Sequence, residues 1–145
     1  MKGVISIFLL IIALPLAACA NKDEAQNQPD KAPVKGEGAN ATYPFTSFDL
    51  DVDMDGADDA IDVSYEQDKE GTEASYVNKT NNQNLTGDQA MNALDEIFSS
   101  FTFNDTTPDD EVLRSVEEAF DIPKDAKSVE VDIDFTGGTE KKYSR

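Results

Sequence analysis

Phe48-Asp49-Leu50-Asp51-Val52-Asp53 alternates apolar and acidic side chains without a break, and Val129-Glu130-Val131-Asp132-Ile133-Asp134-Phe135 repeats the pattern near the far end of the chain. Ile61-Asp62-Val63-Ser64-Tyr65-Glu66 keeps the same period. Successive side chains of a strand point to opposite faces, so a period of two with one apolar set marks half-buried strands. This is the pattern of an antiparallel sheet with one covered and one open face. The apolar set needs a covering layer, whereas the acidic set needs water.

The covering layer is read from the segment between these strands. Thr86-Gly87-Asp88-Gln89 has the spacing of a capping box, and Ala90, Met91, Leu94, Ile97, Phe98 and Phe101 recur every three or four residues. Thr107-Pro108-Asp109-Asp110 predicts a second helix, with Thr107 as cap, Pro108 in the first helical position and acids at the positive end of the dipole. That helix places Val112, Leu113, Val116, Ala119 and Phe120 on one side and stops before Pro123. A weaker strand is expected from Thr72 to Asn78, ending at the turn-rich Asn81-Asn82-Gln83-Asn84. Gly137-Gly138 turns the chain into a short last strand ending near Tyr143. The expected fold class is α+β: a mostly antiparallel sheet of about five strands, three before and two after a pair of helices packed on its apolar face. Asp49, Asp51, Asp62, Glu130, Asp132 and Asp134 then share an open acidic surface.

The N-terminal residues set an address. Met1-Lys2 is followed by an uncharged apolar run from Val4 to Leu14 and by Leu16-Ala17-Ala18-Cys19. About a dozen apolar residues are too few for a permanent span, which needs ~20. The order of charge, apolar middle and small-residue end is that of a secretory signal. Leu16-Ala17-Ala18-Cys19 resembles the bacterial lipobox, which implies a signal peptide over 1–18 and a diacylglycerol on Cys19. Two acyl chains hold a protein stably on a membrane. Residues 19–42 carry Val34 as their sole large aliphatic, so a disordered tether is expected there. Residues 43–145 suffice for one small domain.

The chain has 145 residues, 12 Lys plus Arg against 30 Asp plus Glu, and a formal net charge of −18. Lys2, Lys22, Lys31 and Lys35 cancel Asp23, Glu24, Asp30 and Glu37, so the whole excess falls within 43–145. A surface this negative repels phosphate backbones and opposes nucleic-acid binding. With no His and one Cys, no Ser-His-Asp or Cys-His pair and no Cys/His zinc cluster can be assembled. A carbohydrate-acting enzyme needs two carboxylates across a cleft, and acids are abundant, but there is no Trp to stack a sugar.

Three stretches together carry a resemblance. Tyr43-Pro44-Phe45-Thr46-Ser47-Phe48-Asp49-Leu50-Asp51-Val52-Asp53, Leu85-Thr86-Gly87-Asp88-Gln89-Ala90 and Val129 through Gly138 are similar to the YusW-like lipoproteins of Bacillus-type Gram-positive bacteria. The resemblance implies a protein anchored to the outer face of the plasma membrane, and it assigns no activity and no functional residues.

One local motif carries ion chemistry. Asp51-Val52-Asp53-Met54-Asp55-Gly56 matches D-x-D-x-D-G, the start of an EF-hand-type calcium loop, with Asp59 or Asp62 available to complete the oxygen ligands. The competing reading is an acidic hairpin turn between two strands, in which Asp51 and Asp53 belong to a strand face and cannot wrap an ion with Asp55. The expected function is a non-enzymatic, monomeric, membrane-anchored interaction module that meets a cationic cell-envelope component. A weak Ca²⁺-binding surface protein is the alternative, and no other cofactor is expected.

Overall fold

A computed structural model describes residues 30–145. The expected signal peptide, Cys19 and the first part of the tether lie outside the described residues. Among the described residues seven strands and two α-helices follow one another, with a 3₁₀ helix at Glu37–Asn40 after the first strand: β1 (Ala32–Val34), β2 (Phe45–Met54), β3 (Ala57–Gln67), β4 (Thr72–Asn78), β5 (Gln83–Thr86), α1 (Gly87–Phe98), α2 (Asp109–Ala119), β6 (Ser128–Phe135) and β7 (Glu140–Ser144). All strand pairs are antiparallel, in the order β1-β4-β3-β2-β6-β7, with β5 also on β4. The α+β architecture is as expected, but the sheet has seven strands and not five. β1 and β5 are the additions, lying end to end along the outer edge of β4: Val34 pairs with Thr72 and Ala32 with Ala74, then Thr86 with Ser75 and Gln83 with Asn78.

Both additions arise from sequence that is poor in strand formers. The Asn-rich segment expected as a turn holds its left-handed residue at Asn82 (φ 63°) and resumes pairing at Gln83. β1 corrects the tether, whose disorder was expected to run to residue 42. Val34 is buried in the core, and Asp88 Oδ1 accepts the backbone N–H groups of Lys35 (2.6 Å) and Gly36 (2.7 Å). The Thr72 hydroxyl donates to the Ala39 carbonyl at 2.9 Å, and Lys31 pairs with Glu66 at 2.6 Å. One apolar anchor and a few long-range bonds thus offset the ordering cost of a polar segment.

The close approach of β1 to α1 depends on Gly87. It has φ +56°, and a β-carbon there would come within 2.9 Å of the Pro33 carbonyl oxygen. Gly87→Ala is expected to cost about 1–2 kcal/mol through φ strain and displaced backbone. Limited proteolysis should then cut the 30–42 segment faster than in the parent; unchanged cleavage would show that Gly87 does not hold the strand in place.

Two expected caps are not made. Thr86 occupies the N-cap position of α1 without a side-chain cap bond, while Asp88 is engaged by the chain after β1. Thr107 Oγ1 accepts the Asn104 N–H at 3.0 Å and shapes the loop, so Pro108 takes the N-cap position of α2. Asp109, Asp110 and Glu111 still fill the first turn, where they favour the dipole.

The helices cover Phe48, Leu50, Val52, Ile61, Val63, Tyr65, Val129, Val131 and Ile133, all buried. An irregular register between Phe45 and Ser47 interrupts the alternation, so Phe45 joins Phe48 in the core. Phe98 of α1 is the hub, its ring centroid 5.1 Å from those of Phe45 and Phe48, 5.2 Å from Tyr43 and 5.4 Å from Tyr65.

Candidate functional site

The opposite face of the sheet is built by register. Asp49 stands between Ser64 of β3 and Asp132 of β6, and Asp51 between Asp62 of β3 and Glu130 of β6. Asp134 is opposite Ser47 and carries the acidic strip toward the end of β6. Residues directly opposite on neighbouring strands lie about 5 Å apart at Cβ, and like charges so placed repel. Asp49, Asp51, Asp62, Glu130, Asp132 and Asp134 therefore fall on one surface across three central strands.

Its charges are compensated unevenly. Lys142 of β7 reaches Glu130 at 3.0 Å and Asp132 at 3.4 Å, a contact that alternation along the last strand could have suggested. Asp49 accepts the hydroxyls of Ser64 (2.6 Å) and Ser47 (3.2 Å). Asp62 is only 2% exposed, and neither of its carboxyl oxygens has a hydrogen-bond partner among the described residues. Burial first, then the charges of Asp51, Asp59 and Asp49, push its pKa up to about 7. Asp51 is pushed up to about 6 by burial and by Asp59, Asp49, Glu130 and Asp132. Burial also raises Asp49, against the lowering effect of the Ser64 and Ser47 hydroxyls and of Lys31.

The hairpin that follows uses its acids differently. Met54 pairs with Ala57, leaving Asp55-Gly56 as the connection, with Gly56 at φ +79°. Asp53 Oδ1 accepts the Asp59 N–H and its Oδ2 the Ser128 hydroxyl, both at 2.9 Å. These bonds hold Asp53 below the usual carboxylate range. Asp55 is exposed at the tip, and Asp51 and Asp62 face each other across the strands. Asp59, at φ 49°, breaks the alternation of β3 and brings its charge to bear on Asp51 and Asp62. Among the described residues no three His, Cys, Asp or Glu side chains are grouped to hold a metal ion. The five Asp residues considered as calcium ligands are thus divided between a strand face, a turn-bracing bond and an exposed tip.

Elsewhere, Glu66, Asp68, Glu70 and Glu73 line a recess of about 460 Å³ beside β1, with no aromatic side chain in its wall. No helix among the described residues is long and apolar enough to cross a membrane.

A seven-stranded antiparallel sheet with two helices and a carboxylate-bearing free face defines an acidic α+β domain. Residues 46–137 match the family model of the YusW-like proteins, and the chain belongs to that family. The match runs from β2 to the turn after β6 and leaves β1 and β7 outside it. No curated protein and no solved structure matches the chain.

Proposed function

We propose that the chain is an extracytoplasmic lipoprotein, anchored through Cys19 to the outer face of a bacterial plasma membrane and acting as a non-enzymatic module that binds a cationic envelope component. The observation that carries the binding half is the continuous row of acids from β6 through β2 to β3, fixed by strand register on the face opposite the helices. Side chains on three adjacent strands cannot relax apart as loop acids do, so their potential is fixed in space and favours a cationic surface. The anchoring half is supported by Leu16-Ala17-Ala18-Cys19 after the apolar run.

Each half has its own expected outcome. Cys19→Ser should release the protein from the membrane fraction or block its maturation, and retention of a normally processed form would defeat the lipid anchor. Capture of a basic envelope component should weaken steeply between low salt and 0.5 M NaCl, because exposed charges are screened within ~10 Å at 0.1 M. Capture unaffected by Asp132→Lys with Asp134→Lys would remove the acidic face from the interaction.

A further inference from the structure

Most acids on the open face already have partners: Lys142 serves Glu130 and Asp132, Lys31 serves Glu66, and two serine hydroxyls serve Asp49. Asp134, exposed near the end of β6, has no such partner either, but the buried exception lies at the centre. Asp51 and Asp62 are directly opposed, Asp59 acts on both, and among the described residues no Lys or Arg nitrogen comes within 4 Å of any of the three. The influence of opposite sign on Asp62 is that of Lys79, just past β4, whose ammonium is bound to the Asp58 carbonyl at 2.8 Å. Asp62 is buried with both oxygens unpartnered. A buried carboxyl without a partner carries the full cost of desolvation, and a cation beside it recovers part of that cost.

The unequal exposure of Asp51 and Asp62 bears on which cation fits. The acids are not grouped to ring a metal ion. A guanidinium binds best when both oxygens of a carboxylate are open to its planar fork, whereas an ammonium is a compact point charge that can meet one partly exposed carboxylate from any side. The Asp51–Asp62 pair also lies mid-strip, with Glu130 and Asp132 on one side and Asp49 along the same strand as Asp51. A lysine within a polypeptide can present further cations to those neighbours, which a free monoamine cannot.

We propose that Asp51, with Asp62 directly opposite it on β3, forms the seat on this face for a lysine ammonium group of a polypeptide partner. The inference rests on the acidic-face reading above and adds the place and chemistry of its central contact. Asp51, the partly exposed member, meets the ammonium, and the buried Asp62 opposite it on β3 adds its charge once its proton is displaced. The raised pKa values of this pair, surrounded by Asp49, Asp59, Glu130 and Asp132, agree with a site that holds a proton until a stronger cation arrives.

The test is a titration of the full chain, held in non-ionic detergent at low salt, with an octalysine peptide, followed by backbone amide shifts and calorimetry. The expected result is binding with shifts centred on Asp51, Asp62 and Val77, the last being the residue paired with Asp62 on β4. Asp51→Asn with Asp62→Asn should weaken it at least about tenfold, and Glu130→Gln with Asp132→Asn by only about two- to threefold. Should the first pair of substitutions unfold the chain, as its melting curve would reveal, Asp51→Asn alone should still weaken binding about threefold. The reverse ranking would overturn the seat and leave the acidic-face reading standing. No binding by the parent chain at low salt would defeat both. Displacement of octalysine by millimolar Ca²⁺ with shifts at the same residues would make this a metal site, and n-pentylamine binding as tightly as octalysine would make it a small-amine site. Either result would overturn the proposal.

Discussion

Phe98→Ala should be the most damaging single truncation in the protein, lowering stability by about 3–5 kcal/mol. The Phe98 ring packs against four aromatic rings of the sheet face and its approach, those of Tyr43, Phe45, Phe48 and Tyr65, and its side chain is almost fully buried. Removing it opens a cavity where α1 meets β2 and β3, and the stacked and edge-on contacts among the remaining rings hold that cavity open. Small domains have only about 5–15 kcal/mol in total, so the variant should melt at least about 10 °C lower, as thermal circular dichroism would show. A drop of less than 3 °C would mean that the aromatic cluster closes over the gap and that α1 is held chiefly from its other end.

The second large effect concerns pH. Asp51 and Asp62 have native pKa values pushed up to about 6 and about 7 from an ordinary 3.8. Between those limits the native state binds more protons than the unfolded state, so stability falls as pH rises. The contribution is fully present near pH 4 and is lost as pH passes through 6 to 7. Asp53 and Asp88 act in the opposite sense: lowered by backbone donors, they lose their contribution below about pH 4. The melting temperature should therefore rise on acidification from pH 8 to pH 5 and turn down only below about pH 4. Half-exposure of Asp51 and coupling within the pair limit the gain to on the order of 2–3 kcal/mol. General repulsion from the −18 charge has the same sign, so the discriminating measurement is Asp62→Asn, which should flatten the pH 5–8 slope and raise stability at pH 8. A parent protein less stable at pH 5 than at pH 8 would contradict this account.

Period two in Phe48–Asp53, Ile61–Glu66 and Val129–Phe135 was sufficient to read the central strands, the covered face and the acidic face, because alternation maps directly onto the two sides of a sheet. The edge strands were not legible by the same means. Ala32-Pro33-Val34 and Gln83-Asn84-Leu85-Thr86 have little alternation, and their place is dictated by β4, which is distant in sequence from β1. The caps differ from their local spacing: Thr86 sits at the N-cap of α1 without a side-chain bond while its neighbour Asp88 serves the distant Lys35 and Gly36, and the Thr107 oxygen is taken by Asn104. Alternation showed which way Asp62 faces but not that it is buried, which depends on flanking strands. The D-x-D-x-D-G spacing left loop and strand readings open, and the pairing of Asp51 with Asp62 shows that Asp51 belongs to a strand.

The short β1 also determines how the domain bears load. Residues before Asp30 join the folded part through three paired residues on β4, the Lys31–Glu66 ion pair and the two bonds that Asp88 accepts. Tension arriving along the chain from that side meets these attachments first, then the bond between the Thr72 hydroxyl and the Ala39 carbonyl, before it reaches Phe45 and the ten-residue β2 at the heart of the sheet. Under such a pull β1 is the first element to yield: its release frees the chain as far as Gly36, while the Ala39 contact and the sheet that carries the acids keep their places.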